Sequence, residues 1–122
     1  MKTIIIKRSG GDKKFKAIMP DGKEVRFGQK GYSDYTLHKN PMRMRSYVVR
    51  HGGRTTSSTD PANVHRIMLT RTSSNKETWG ARGVNTPGFW SRWLLWSFPD
   101  IKIAKKYIEN NILKDYKIKL NI

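Results

Sequence analysis

Between His38 and Arg54 the chain carries Lys39, Arg43, Arg45, Arg50 and Arg54, with no acidic residue from Thr36 to Thr59. A guanidinium is a planar fork that can hold two oxygens of one phosphate. The chemistry on offer is therefore the holding of phosphates rather than the making or breaking of bonds. Arg43, Ser46 and Arg50 are spaced to share one face of a helix, at one-turn and two-turn separations. A helix that is merely soluble usually mixes signs four residues apart, and this one does not.

A second basic set, Lys14, Lys16, Arg26 and Lys30, accompanied by Lys13 and Lys23, falls on the preceding segment. Alternation predicts that Lys14, Lys16 and Arg26 project from the outer face of a sheet, opposite Phe15 and Phe27. Gly28 and Gly31 have the Gly-x-x-Gly spacing of a backbone clamp, but without a flanking helix pattern they read more simply as a turn. Tyr32 and Tyr35, in a polar stretch, are the better base-stacking candidates, although packing is the simpler role for both. Phe89, Trp90, Trp93, Trp96 and Phe98 read instead as the centre of a core.

Catalytic chemistry finds little support. His38, His51 and His65 lie too far apart in sequence to form a ligand pair on one helix, and the nine carboxylates are scattered. No nucleotide-binding glycine loop is present, so the sequence nominates no catalytic residue, metal ligand or cofactor. A metal-dependent nuclease using Asp34 with His38 or His51 is the third reading, since such enzymes usually need several converging ligands. There are no cysteines, which excludes disulfides, thiol chemistry and cysteine zinc sites.

The elements that must carry these residues fit one domain of 122 residues, 36% of them apolar, spanning 1–122. Residues 3–8, 14–19 and 24–27 read as strands, the last two joined by the turn Pro20-Asp21-Gly22. Asn40-Pro41 starts a helix that runs to about His51 and stops at Gly52-Gly53. Met44, Tyr47, Val48 and His51 form its inward stripe. Residues 53–76 are rich in Ser, Thr, Gly and Asn and read as a flexible insertion, with a short helix starting at Asp60-Pro61. Thr86-Pro87 and Pro99-Asp100 open two further helices, the second with Lys102, Lys106 and Glu109 facing solvent. Residues 116–122 alternate as a final strand. The expected fold class is α+β: a small antiparallel sheet packed against two or three helices.

Charge decides the class of partner. Twenty-five Lys and Arg stand against nine Asp and Glu, giving +16. The excess is spread over the chain, with +9 in residues 1–50, +4 in 51–99 and +3 in 100–122. A field this one-sided repels itself unless a polyanion neutralises it. No stretch approaches the length of a membrane span or of a signal-peptide core, so no membrane partner is expected.

Three segments carry a family resemblance: Gly31-Tyr32-Ser33-Asp34-Tyr35-Thr36, then Tyr47-x-x-Arg50-His51, then Gly88-Phe89-Trp90-Ser91-Arg92-Trp93-Leu94-Leu95-Trp96. Over residues 15–110 the chain resembles an uncharacterised family of short basic proteins of nucleocytoplasmic large DNA viruses, of the marseillevirus and chlorella virus type. Relatives commonly place a Glu-x-Trp element soon after Arg-His. Here Glu77-Thr78-Trp79 follows about 25 residues later, which marks 53–76 as an insertion. The resemblance implies a viral origin and packaging in the particle, and transfers no catalytic residue.

The expected function is sequence-nonspecific binding of double-stranded DNA through its phosphates, in the virion or in the viral factory of the host cytoplasm, with the host nucleus as a further setting. The alternative is a structural virion protein bridging acidic protein surfaces, with homo-oligomerisation left open.

Overall fold

A computed structural model describes all 122 residues. Strands β1 (Lys2–Arg8), β2 (Lys13–Ile18) and β3 (Glu24–Gln29) form the expected antiparallel meander. Alternation sends Ile4, Ile6, Phe15, Ala17, Val25 and Phe27 into the core. Phe15 faces Phe27 across the β2–β3 pair, and Lys16 faces Arg26 on the other side of the sheet. Gly22 closes the turn at φ 89°, a conformation that costs a residue with a Cβ about 1 kcal/mol or more.

The fourth strand, β4 (Tyr116–Asn121), corrects the expectation of an antiparallel sheet. It pairs with β1 in parallel, giving a mixed sheet of order β3-β2-β1-β4. The physical cause lies in the element before it. Helix α5 (Ile101–Asn111) covers the sheet with Ala104 and Ile108, and the turn at Leu113 then delivers Tyr116 beside Lys2. The Lys2 amide donates to the Asp115 carbonyl at 3.2 Å, fixing the register from that end. Two-residue alternation marks a strand but is the same for either direction of pairing.

Between β3 and α5 lie α1 (Tyr35–His38), α2 (Pro41–Arg50), α3 (Pro61–Leu69) and α4 (Pro87–Trp90). The Asn40 side chain accepts from the amides of Met42 and Arg43, and Asp60 caps α3 in the same way. Met44, Tyr47 and Val48 of α2 are buried, as are Val64 and Met68 of α3, which packs on α2. Arg45 Nη1 donates to the carbonyls of Thr56 and Ser58, and Arg71 donates to those of Arg54 and Thr55. The chain from 54 to 58 is thus pinned along α2.

The aromatic segment is core, as expected, but it is not one regular helix. After α4 the residues Ser91–Leu95 form a π-helical turn. The wider turn presents consecutive residues inward, and Arg92, Trp93, Leu94, Leu95 and Trp96 are all buried. Arg92 is the surprise among them. Its guanidinium lies 4.4 Å from the Trp93 ring centroid and 5.2 Å from that of Trp79. It donates to the carbonyls of Trp96 (2.8 Å), Met68 (2.7 Å) and Arg71 (3.2 Å). Burial lowers its pKa to about 10, still well above neutrality, so the group remains charged. Carbonyls at the end of α3 and two faces of aromatic rings stand in for a carboxylate.

Candidate functional site

Where β2 begins and β3 ends, the sheet edge and α2 diverge around a cleft of about 560 Å³. Lys13, Lys14, Gly28 and Gln29 form the sheet-side wall. Arg43, Ser46, Tyr47, Arg50 and His51 form the α2 wall, with Tyr32 at the mouth and Glu77, Gly88 and Ser91 closing the third side. Two segments far apart in sequence, the basic strand and the basic helix, therefore face one space.

Each of the two carboxylates in this lining is already engaged. Asp34 caps α1 by accepting from the Thr36 amide at 2.9 Å and from the Thr36 hydroxyl, and it pairs with Lys14 Nζ at 2.6 Å. Glu77 accepts from the Trp79 indole at 2.8 Å. Asp34 is thus spent on Lys14, whereas Glu77 keeps an unpaired charge in the lining; neither forms an ion pair with Arg43 or Arg50. Both arginines are exposed, and the ion pairs of the chain are Lys14–Asp34, Lys16–Glu24, Arg26–Glu24 and Lys105–Glu109.

The cleft is backed by a column of rings. His51 stacks on Tyr47 at 4.0 Å, Tyr47 on Trp96 at 4.4 Å, and Trp96 meets His38 at 5.2 Å. Tyr35 continues the column from His38 to His65, accepting or donating through its hydroxyl at 2.8 Å from His65 Nδ1. All three histidines of the chain thus join one aromatic array, although their sequence spacing gives no hint of it. Burial and the Glu77 carboxylate push the Tyr47 phenol far up, so it stays neutral. Burial, helped by Arg43, lowers His38, and burial with Arg92 lowers His65. No group of three or more His, Asp or Glu side chains converges as metal ligands.

The nominated residues divide into three groups. Arg43 and Arg50 stand on the cleft rim with free guanidinium groups, while Lys30 and Arg54 are exposed outside its lining. Lys16 and Arg26 sit on the outer sheet face as expected, both leaning on Glu24 at 3.4 and 3.6 Å. Lys14, Arg45 and Lys39 are placed differently from the expectation of free cations. Lys14 turns away from the outer face to Asp34, its side chain only 14% exposed. Arg45 clamps the 56–58 carbonyls, and Lys39 Nζ donates to the Pro99 carbonyl at 2.7 Å. Of the two stacking candidates, Tyr35 is buried whereas Tyr32 is 70% exposed. Glu109, expected in solvent, accepts from the Ile118 amide at 2.7 Å.

Sequence reading placed Lys13 with the second basic set, and the structure sets it in the sheet-side wall of the cleft. Sequence reading missed altogether a second basic surface, where Lys102, Lys105 and Lys106 of α5 come beside Lys117 and Lys119 of β4.

Residues 4–51 match the model of a family of unknown function, DUF5754. That span runs from β1 to the end of α2 and holds both basic walls of the cleft, while Glu77 and the aromatic segment lie beyond it. No curated protein and no solved structure gives a match. No helix is long and apolar enough to cross a membrane.

Proposed function

We propose that this protein binds double-stranded DNA through its phosphate backbone, without reading bases, and that Arg43 and Arg50 are the principal contacts. One observation carries the reading: the cleft rim presents two guanidinium groups that pair with no carboxylate, Asp34 in the same lining being held by Lys14. Lys13 extends the positive rim on the sheet side, and the exposed Lys30 follows Gln29 of that wall in the chain. Backbone binding needs only such charge and adaptable donors, and the net +16 supplies the long-range attraction.

In this reading the protein belongs to a large DNA virus, where a long polyanion must be compacted, and it acts in the virion or the viral factory. The resemblance over residues 15–110 is what supports that setting. Fluorescence anisotropy with a labelled duplex tests the binding. The double variant Arg43→Ala/Arg50→Ala is expected to bind about tenfold or more weakly at moderate salt, at roughly 0.7 kcal/mol per lost contact. Lys114→Gln, an exposed change outside the cleft, serves as control. Equal affinity of both variants and the parent sinks the assignment to this cleft. Tight binding to an acidic polypeptide with none to duplex points to the protein-bridging alternative.

A further inference from the structure

The surface missed by sequence reading is a groove of about 680 Å³ around the free edge of β4. Lys102, Lys105 and Lys106 approach it from α5, and Lys117 and Lys119 from the strand. Glu109 of α5 reaches Lys105 at 3.6 Å and is further occupied by the Ile118 amide, so the other four ammonium groups of the groove have no paired carboxylate. Strand lysines alone would be an ordinary guard against edge-to-edge pairing. That role needs nothing from α5, whereas here three helix lysines open onto the same channel.

The spacing also suits a row of phosphates. Lys102 and Lys106 are one helical turn apart, about 6 Å between their Cβ atoms. Lys117 and Lys119 point to the same side of the strand at about 6.6 Å. Flexible ammonium groups at such intervals can each meet a separate phosphate without demanding fixed geometry.

The groove is remote from the cleft. β3 borders the cleft and β4 borders the groove, and these are the two edges of the sheet. Three strand spacings of about 4.8 Å set these two edge strands roughly 14 Å apart. We propose that the α5–β4 groove is a second binding site for the phosphate backbone of duplex DNA, and that one chain thereby bridges two duplex segments. The ligand class is shared with the proposed cleft, but the groove stands on its own residues.

Amine-reactive acetylation with mass-spectrometric readout tests it directly. The full chain is labelled with and without a short duplex, and the same is done for Arg43→Ala/Arg50→Ala. Lys102, Lys106, Lys117 and Lys119 are expected to lose reactivity at least about threefold on adding duplex, in both proteins. A variant carrying Lys102→Gln, Lys106→Gln, Lys117→Gln and Lys119→Gln leaves Lys105 on Glu109. It is expected to keep single-duplex affinity within about threefold while losing capture of a second, labelled duplex by a bead-bound one. If duplex binds and the groove lysines remain fully reactive, or capture persists in the quadruple variant, the groove proposal is overturned and the cleft stands. If the groove is protected while the Arg43/Arg50 change has no effect on affinity, the cleft assignment fails and the groove stands. Absence of any duplex binding at low salt overturns both.

Discussion

The Trp96 indole lies flat on the Tyr47 ring, centroids 4.4 Å apart and planes within 4° of parallel. Tyr47 belongs to the α2 wall of the cleft, and Trp96 ends the π turn of the aromatic core. The orientation of Arg43 and Arg50 is therefore set by a contact between two elements, not by α2 alone. Both rings are almost wholly buried, so the stack is also a large apolar contact.

Replacing Trp96 should accordingly touch stability and binding together. Trp96→Ala is expected to cost about 3–5 kcal/mol, as for other buried aromatics, measured by urea denaturation. Trp96→Phe keeps a stacking face and should cost less than half as much. If Trp96→Ala unfolds at the parent's midpoint, the stack does not hold the two elements.

The histidines predict a loss of stability in mild acid. His38 Nδ1 accepts from the Asn40 amide at 3.0 Å, which leaves its proton on Nε2, a buried atom without a partner. Protonating Nδ1 would set two donors against each other. Burial holds both His38 and His65 below their ordinary value of 6.5. A folded pKa below the unfolded one means that the unfolded chain binds the proton more readily. The stabilising effect of the neutral rings is thus complete above about pH 6.5 and is lost as pH falls below it toward the folded values. Denaturation midpoints should drop between pH 7.5 and 5. His38→Gln and His65→Gln together should flatten that drop, and an unchanged slope would remove these rings as its cause.

Arg92 predicts an asymmetry between basic side chains. Arg92→Lys keeps the charge but cannot reach three carbonyls and lie between two indoles at once. It is expected to cost about 3 kcal/mol or more, because buried carbonyls are left unpaired around a buried charge. Arg92→Met, which removes the charge, should cost no more than the lysine change. Denaturation of the two variants decides this, and a lysine variant as stable as the parent would contradict it.

Gly28 is required for two reasons. Its φ is 78°, and a Cβ there would lie 2.9 Å from Leu95 Cδ1 and 3.3 Å from Lys14 Cβ. Gly28→Ala should cost about 1–3 kcal/mol from backbone strain and crowding. Leu95→Ala/Gly28→Ala should recover part of the crowding term beyond simple additivity, which a double-mutant cycle by denaturation measures.

Local signals made much of the fold legible. The Asn40 cap, the Gly52 stop, the Pro20–Gly22 turn and the alternation around Phe15 and Phe27 each depend on neighbours in sequence, and each appears where expected. The direction of β4 does not depend on neighbours, because parallel and antiparallel partners ask for the same alternation. Arg43 and Arg50 could be placed on one face from helical spacing. Arg45 and Lys14 could not be told from them, since what engages these side chains, the 56–58 carbonyls and Asp34, comes from 11 to 20 residues away. The lysine groove is hidden for the same reason: α5 and β4 form it only because β4 wraps back against β1.

The salt dependence of duplex affinity tests backbone binding at the cleft most directly. Each neutralised phosphate contributes about 0.9 to the slope of log affinity against log salt. The parent should give a slope corresponding to roughly four or more phosphates, and Arg43→Ala/Arg50→Ala should lower it by about 1.8. A parent slope near zero, or a slope unmoved by removing both arginines, would contradict backbone binding through this cleft.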